Sequence, residues 1–536
     1  MPIFNPSRGV SRTRRAVRTA VLTLCFAFAG FAPEAIMPAV RADEFLSQIN
    51  KGYLAVSEDK RSDLVILPLL AKLDPPPARF AELSQAALYP ADLPGFAEAK
   101  EWAEKPAQRA MLDALEKVSK GTKWKDAFAW ALPYGIEGVP TELVEARLYS
   151  ELGDPPTLGA ARHYWLPELE KVACLVNVEA TRLAADGKPS EAVDVLLRWA
   201  NLSRQILDRQ MMVEARWGAS HLLQALERVR DVLYTDMTGK RQLDVNKIAD
   251  QVGQFANDSV LDMGRMQLPK GDCAAANQVA ARVFGPTGKV NERLFGPTLA
   301  RLGASEQPLR LFSESARWRS GAAMHADATD TISKITSVQN DFAKRWGLGW
   351  FDRQQSGLTE HERLRSARFA LISRTMPDLR ELIDLRQILN VELQGTQLSL
   401  ALAGYVVVNK GFPPQLTAIR PRWIDRIPAD PFSRDVVSNQ RSIPAYLIPM
   451  RRHIGMGEKE QPKPHEMDIV PVRGEPFSVK LTDTTFLMYS VGGNSANDFA
   501  KRVQNTVQAG SATDYLLWPP VISLSRQHQR DSQQLK

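Results

Sequence analysis

Residues 160–209 read AARHYWLPELEKVACLVNVEATRLAADGKPSEAVDVLLRWANLSRQILDR and set the architecture of the chain. Apolar residues recur every three or four positions on both sides of Asp186-Gly187-Lys188-Pro189, which is the spacing of one helix face. Gly187 suits the C-terminal end of a helix, and Pro189 suits the first turn of the next. The segment therefore predicts two helices joined by a short turn, an αα-hairpin. The predicted apolar stripes are Leu166, Leu169, Val172, Ala173, Val176, Ala180, Leu183 and Ala184 on the first helix, and Ala192, Val193, Leu196, Leu197, Ala200 and Ile206 on the second.

Helical periodicity extends over most of the chain on either side of this hairpin. A third helix is predicted from Met211 to Tyr234, and short helices interrupted by proline precede the hairpin. The segment that follows is rich in glycine and proline, so we expect a linker or a long loop there. The predicted regions are an N-terminal helical region (43–150), a helical hairpin region (151–263), the linker or long loop (264–310) and a second helical region (311–384).

The composition changes after Tyr405. Eleven prolines lie between Lys410 and Lys480, which excludes long helices. Short strands are predicted, and the last two of them should form a hairpin. The predicted strands are 445–448, 477–481 and 486–489. The expected fold is mainly α, built of helical hairpins, with a small C-terminal α+β module at 385–525 and a frayed polar tail at 526–536.

The N-terminus has the three parts of a secretory signal peptide. A cluster of arginines precedes an apolar run from Ala20 to Ala32, and Val40-Arg41-Ala42 offers a cleavage site with small residues at its two key positions. The apolar run has 13 residues, fewer than the roughly 20 that cross a bilayer as a helix. We therefore expect residues 1–42 to be removed, leaving an exported protein of the periplasm or cell envelope, or an extracellular one, with no transmembrane span. Arg14-Arg15 leaves the choice between Sec and Tat export open.

Charge disfavours a nucleic-acid partner. The whole chain carries a formal charge of +7, but residues 1–42 contain six Arg and one Glu. Of the 68 basic and 61 acidic residues, the mature protein would therefore keep 62 and 60. Nucleic-acid binding needs a basic excess concentrated on one face or tail, and here most of the excess belongs to the signal peptide.

The sequence assigns no catalytic, cofactor-binding or metal-binding residue. It contains neither H-E-x-x-H nor G-x-S-x-G, and it has no C-x-x-C pair or EF-hand loop. His163 lies beside Tyr164 and Trp165, where a core position is expected. Cys174 and Cys273 are the cysteines of the mature chain. An oxidising compartment permits a disulfide between them, whereas the apolar neighbours of Cys174 favour a buried thiol, and the pairing is left open.

Two motifs near the C-terminus carry a resemblance to known proteins. Ile427-Pro428-Ala429-Asp430-Pro431-Phe432-Ser433 is followed by Phe486-Leu487-Met488-Tyr489-Ser490-Val491-Gly492-Gly493-Asn494. This pair resembles the globular head of type II secretion pseudopilins, where a D-P-[WF] turn precedes a strand ending in Y-S-[LV]-G. It is also similar to a family of uncharacterised exported bacterial proteins that carry such a module behind a helical region. More weakly, Gly187 to Val193 is similar to the turn of a tetratricopeptide repeat, although one copy equally fits an ordinary αα-hairpin.

The chain departs from the pseudopilin pattern in two respects. No G-F-[TS]-L-x-E prepilin motif precedes the apolar run, so a fibre subunit is not expected. In some pseudopilins the loop after the Y-S-[LV]-G strand contributes to Ca²⁺ binding. Here the loop Asn494–Asp498 has one carboxylate, whereas Ca²⁺ takes six to eight oxygens, several of them carboxylates. A turn capped by its own side chains is the expected alternative, and calcium binding is left open.

The two motifs also make structural predictions. Pro431 keeps Asp430 extended, which leaves the Asp430 carboxylate free to accept hydrogen bonds from nearby backbone N–H groups. Phe432 should pack beneath the final hairpin. The strand 486–491 is apolar on both faces, so it should be covered on both sides. The helix ending near residue 408 should cover one face and the insertion 435–475 the other.

The functional expectation is correspondingly broad. We expect an exported periplasmic or cell-envelope protein with a non-catalytic interaction or structural role, and a protein partner in the envelope. No cofactor is expected, and the oligomeric state is open. The alternatives are a cell-envelope hydrolase with an unrecognised site and an accessory component of a secretion system. A deep pocket with converging polar groups would favour the hydrolase, and a broad groove would favour the binding protein.

Overall fold

A computed structural model describes residues 36–121, 123–303, 317–319, 321–434, 442–452, 461–471, 474–505 and 513–535. Helices account for 54% of the structure and strands for 8%, with small sheets in the C-terminal region, which confirms the predicted fold class. The predicted signal peptide lies outside the described residues up to position 35, and the side chains of 36–42 lie outside them as well. Among the described residues, no helix is both long and apolar enough to cross a membrane.

The N-terminal region consists of short helices, as its proline pattern predicts. These helices are α1 (Ile36–Leu54), α2 (Ser62–Leu70), α3 (Leu83–Leu88), α4 (Phe96–Glu104), α5 (Pro106–Val118) and α6 (Thr141–Glu145). Pro106 stands in the first turn of α5, where a missing N–H costs no helical hydrogen bond. Leu67, Trp102 and Leu115 are buried, so these helices pack into the main core.

The αα-hairpin is confirmed and forms the centre of the fold. Its helices are α7 (Trp165–Ala185) and α8 (Pro189–Leu207), followed by α9 (Met212–Thr238) and α10 (Val245–Gly253). Gly187 has a φ of 80° in the turn, a conformation that glycine adopts readily. Gly218 lets α9 approach α8 closely, because a Cβ atom at that position would lie 2.5 Å from Leu207 N. Whether the turn is related to a tetratricopeptide repeat stays a prediction.

The described part of the predicted linker or long loop, residues 264–303, is largely helical, so the prediction is wrong there, and residues 304–310 lie outside the described residues. Residues 264–303 contain α11 (Gly271–Val283) and α12 (Glu292–Gly303). A Cβ atom at Gly271 would lie 2.6 Å from Gln210 O, so this glycine allows close packing instead of loop flexibility. Val279 and Phe295 are buried in the main core. Gly271 was therefore misinterpreted as a loop residue, because the residue it contacts, Gln210, lies in a distant part of the sequence.

The remaining helices connect this body to the C-terminal module. They are α13 (Ala328–Gly347), α14 (Ala370–Thr375) and the 30-residue α15 (Arg380–Asn409). Helix α15 ends where Lys410 adopts a left-handed conformation. One hydrophobic cluster extends from Ile66 in α2 through the hairpin and α15 to Trp518.

The strands form three small sheets. They are β1 (Ser150–Glu151), β2 (Arg162–His163), β3 (Ala445–Leu447), β4 (His465–Ile469), β5 (Phe477–Leu481), β6 (Leu487–Ser490), β7 (Arg502–Val503) and β8 (Tyr515–Trp518). The sheet orders are β1-β2, β3-β6-β8 and β5-β4-β7. The three predicted C-terminal strands are confirmed, but β5 and β6 belong to different sheets, so the predicted hairpin between them is wrong. Each strand instead finds its partners elsewhere in the chain.

The Asp430 carboxylate accepts hydrogen bonds from backbone N–H groups, as predicted, and it also joins the D-P-F-S turn to the Y-S-V-G strand. Asp430 accepts hydrogen bonds from Phe432 N at 3.0 Å, Ser490 Oγ at 2.7 Å and Val491 N at 3.1 Å. Phe432 is buried, with its ring edge-on to Trp350.

Strand β6 is buried along its whole length, which confirms the prediction of cover on both sides. Helix α15 contacts β6, while Met467 and Ile469 of β4 share a hydrophobic cluster with Leu487 and Tyr489. The insertion 435–475 thus contributes to the cover, although its residues 435–441, 453–460 and 472–473 lie outside the described residues.

The prediction of a frayed tail at 526–536 is wrong for residues 526–531, which are helical. Residues Val521–Asp531 form helix α16. Arg526 donates from Nη1 and Nη2 to the two carboxylate oxygens of Asp231, each at 2.7 Å, and from Nε to Leu88 O at 2.7 Å. The helix is polar because its polar side chains bind buried groups of α9 and the end of α3.

Candidate functional site

His163, predicted to lie in the core, belongs to a buried polar cluster. Its Nδ1 lies 3.0 Å from Ser150 Oγ and 3.2 Å from Glu214 Oε1. A serine-histidine-carboxylate triad uses a different ring nitrogen for each partner, whereas here one nitrogen faces both. Ser150 and Glu214 are also fully buried, which keeps a substrate from the hydroxyl. This cluster is structural.

The same cluster surrounds Arg209. The Arg209 guanidinium lies 4.2 Å from the Tyr53 ring centre and 4.7 Å from that of Tyr134, and its Nε donates to Glu214 Oε1 at 3.0 Å. Burial by itself would raise the pKa of Glu214, but Arg209 and His163 outweigh burial and lower that pKa to about 2. The Arg209 guanidinium therefore lies against the rings of Tyr53 and Tyr134, and it links Tyr53 of α1 to Glu214 of α9.

A groove along α9 has the form of a binding site. Its volume is about 1190 Å³. The α9 side chains that line it extend from Met212 to Glu227, which corresponds to about 22 Å at the helical rise of about 1.5 Å per residue. Helices α3, α7 and α16 contribute the remaining walls. The site is a long open channel formed by segments from distant parts of the sequence.

Glu170 of α7 lies at the centre of the groove lining. Its Oε1 accepts from Trp217 Nε1 at 3.1 Å and lies 2.9 Å from His221 Nε2. Because the carboxylate accepts hydrogen bonds, His221 Nε2 carries the proton in this contact. The Trp217 and His221 rings lie 3.8 Å apart between centres at an interplanar angle of 35°. Two aromatic rings thus hold one carboxylate in place, and the Glu170 side chain remains 41% exposed.

Two further atoms in the groove lining are acceptors that lack a hydrogen-bond partner among the described residues. Asn177 is only 5% exposed, and its Nδ2 donates to Ala173 O at 2.9 Å while its Oδ1 has no partner. The His221 side chain is 4% exposed, and its Nδ1 likewise has no partner. In the neutral tautomer protonated at Nε2, His221 Nδ1 is an acceptor. A buried acceptor without a donor is costly, so the groove favours a ligand that brings donors.

The two other carboxylates on α9 and α11 that face the groove cap helix ends. Asp272 Oδ2 accepts from Met212 N at 2.9 Å at the start of α9, and Glu227 Oε1 accepts from Ile522 N at 3.0 Å at the start of α16. Negative charge is stabilised at a helix N-terminus. Burial nevertheless raises the pKa of both groups, that of Asp272 to about 7.

The spacing of Asp272 and Glu227 does not suit glycoside hydrolysis. Asp272 lies at the Met212 end of the groove and Glu227 at the other end, about 22 Å away along α9. Paired catalytic carboxylates in glycoside hydrolysis lie about 5 to 9.5 Å apart. Asp272 and Glu227 therefore cannot act as such a pair on one bond, and Glu170 lies between them along α9.

The sequence assigned no site residue, and none of these groups was singled out. Glu170 and His221 are separated by 51 positions, so only the packing of α7 on α9 brings them together. The sequence did contain a local signal. Trp217 and His221 are four residues apart and share one helix face, which is not the apolar face formed by Ala215, Ala219, Leu222 and Leu226. Arg380 and Asp384 have the four-residue spacing of a solvent-facing helix pair. In the structure, however, burial raises the pKa of Asp384 to about 6, and Arg380 donates to Gly357 O at 2.5 Å.

The loop Asn494–Asp498 is capped by its own side chains, as one of the two expectations proposed. Asn494 Oδ1 accepts from Ala496 N at 3.1 Å, and Asn497 Oδ1 accepts from Phe499 N at 2.9 Å. In the part of the chain that the structure describes, no group of three or more His, Cys, Asp and Glu residues could hold a metal ion.

Cys174 and Cys273 are free thiols. Cys174 is buried, and burial raises its pKa to about 12, whereas Cys273 is half-buried. The structure therefore contains no bridge between them, in agreement with the apolar sequence around Cys174.

Comparison with known proteins adds no relative. No family model matches the chain, and neither curated proteins nor solved structures give a match. The resemblance of residues 385–525 to a pseudopilin head thus stays a prediction from the motifs, and function must be argued from the groove itself.

Proposed function

We propose that this chain is an exported protein of the periplasm or cell envelope that binds an extended segment of a partner protein in the groove along α9, without catalysis. The observation that carries the proposal is the length and openness of the groove. An extended chain rises about 3.3 Å per residue, so about 22 Å of groove accommodates six or seven residues. The proposal for export rests on the arginine-rich and apolar N-terminal sequence.

The composition of the groove supports binding. It offers exposed side chains, among them Val213 and Ser220, beside hydrogen-bond acceptors that have no partner. Peptides bound in extended form use main-chain hydrogen bonds for affinity and side-chain pockets for specificity. The spacing of Asp272 and Glu227 weighs against one form of the hydrolase alternative, a glycoside hydrolase that uses these two carboxylates as its pair.

A role as an accessory of a secretion system is a second proposal, and it rests on a different observation. The Asp430 carboxylate joins the D-P-F-S turn to the Y-S-V-G strand beneath α15. This linkage supports treating the two motifs as parts of one unit, as the pseudopilin resemblance implies. Binding to isolated components of a type II secretion system would test this second role.

The first test is retention of peptides by groove variants. Immobilised mature protein is mixed with a pooled library of random seven-residue peptides with blocked termini, and retained peptides are identified by mass spectrometry. Ser220→Trp places an indole in the groove from an exposed position of α9, and Ser333→Trp makes the same change at an exposed position of α13 outside the groove. We expect Ser220→Trp to lower retention at least tenfold and Ser333→Trp to leave it unchanged. Retention that is absent from the unmodified protein, or equal in both variants, would refute the proposal.

A further inference from the structure

The groove lining presents an excess of negative charge and of acceptors. Four carboxylates line it, from Glu82, Glu170, Glu227 and Asp272, against one guanidinium, that of Arg216. Arg216 already forms an ion pair with Glu381 at 3.0 Å. Burial raises the pKa of Glu227 and of Asp272, and both cap helix ends. Of the other two, Glu82 and Glu170, Glu170 is held in the groove by hydrogen bonds from Trp217 and His221, so we take it as the carboxylate that meets a ligand.

Glu170 is held in a fixed position while keeping one oxygen available. Both of its hydrogen bonds, from Trp217 and His221, go to Oε1. Among the described residues, no hydrogen bond or ion pair involves its Oε2. A carboxylate oxygen accepts but cannot donate, so the matching ligand group is a donor, and a positively charged donor gives the strongest pairing.

A second subsite lies two helical turns further along α7. Asn177 follows Glu170 by seven residues, so the two side chains share one face about 10 Å apart along the axis. Asn177 Oδ1 is buried in the groove lining without a donor. This observation is independent of the charge of Glu170. In an extended chain, groups three residues apart are separated by about 10 Å. One ligand chain can thus satisfy both subsites.

From these observations we infer that the ligand segment carries a lysine or arginine side chain that binds Glu170 Oε2, while a backbone N–H three residues away binds Asn177 Oδ1. This inference rests on the proposed function, because it specifies the chemistry of the segment that the groove binds. The Trp217–His221 ring pair adjoins the cation subsite and fixes the orientation of the carboxylate.

The test compares two peptide pools on the immobilised mature protein. One pool has lysine at the centre of random seven-residue peptides with blocked termini, and the other has norleucine, which keeps the alkyl chain and removes the charge. We expect the lysine pool to be retained at least tenfold better. Equal retention of the two pools would overturn the inference and leave the proposed peptide binding intact. Failure to retain either pool would overturn both.

Variants on α7 separate the two subsites. Glu170→Gln should abolish the preference for lysine, whereas Glu168→Gln should preserve it. The control is matched, because Glu168 lies on the same helix, is 43% exposed and lies outside the groove lining. Asn177→Leu should lower retention of both pools about equally, since it removes an acceptor for the backbone. A lysine preference that survives Glu170→Gln would contradict the assignment, and melting temperatures of all variants show whether each has folded.

Discussion

Replacing Asp430 with alanine should destabilise the C-terminal module strongly. The carboxylate is 1% exposed and accepts hydrogen bonds from Phe432 N, Ser490 Oγ and Val491 N. Alanine removes all three bonds at once. The Ser490 hydroxyl can rotate towards another acceptor, but the two backbone N–H groups are fixed.

The magnitude follows from these two backbone donors. A donor left unsatisfied in a buried site costs about 1–3 kcal/mol, so two of them cost about 2–6 kcal/mol. We therefore expect Asp430→Ala to lower the free energy of unfolding of the module by about 4 kcal/mol. Ser490→Ala removes one donor and leaves the carboxylate with its two backbone partners, so it should cost only about 1 kcal/mol.

Hydrogen exchange of the β6 amides gives the local free energy of opening, and urea unfolding gives the global value. In a double-mutant cycle, the Asp430 and Ser490 substitutions should be coupled by about 1 kcal/mol, since each removes the same hydrogen bond. If the β6 amides exchange no faster in Asp430→Ala than in Ser490→Ala, the carboxylate does not join the turn to the strand. The structural interpretation of the two motifs is then wrong.

Four other outcomes are expected. Phe432→Ala should cost about 3–5 kcal/mol in urea unfolding, because the ring is fully buried, and a variant with unchanged stability would show that the ring is not a core residue. Arg526→Met should lower the free energy of unfolding by about 3 kcal/mol, because it leaves the buried Asp231 carboxylate with one cation fewer. It should also make α16 sensitive to proteolysis, and resistance equal to that of the unmodified protein would refute this. Burial raises the pKa of Asp272 to about 7, so between about pH 4 and 7 its carboxyl group is protonated in the folded state and ionised in the unfolded state. The free energy of unfolding should therefore fall by up to about 4 kcal/mol as pH rises through that window. Asp272→Asn should remove this decline, making the variant the more stable protein at pH 8 and equally stable at pH 4, and parallel pH profiles would contradict the assignment. N-terminal sequencing of the exported protein should give Asp43 as the first residue, and an intact Met1 in the membrane fraction would exclude signal cleavage.

Local patterns predicted the elements well, and distant contacts account for the errors. The α7–α8 hairpin was predictable because the helical period and the Gly187 turn are encoded within about fifty consecutive residues. The pairing of β6 with β3 and β8 was not, since strand partners are chosen across long stretches of chain. Residues 526–531, the C-terminal part of α16, were interpreted as a frayed tail because Arg526 binds Asp231, which is 295 positions away. The groove could not be predicted from the sequence for the same reason, because the segments that line it are far apart in the chain.

The close contact between Gly218 of α9 and Leu207 of α8 controls the position of one wall of the groove. A Cβ atom there would lie 2.5 Å from Leu207 N, whereas ordinary van der Waals contact begins at 3.4 Å, so any larger residue would force α8 and α9 apart by about 1 Å. Because α9 is a continuous helix, this displacement would reach Trp217 and His221 on the groove side together. A substitution at position 218 should thus change the shape of the groove without changing any side chain that lines it.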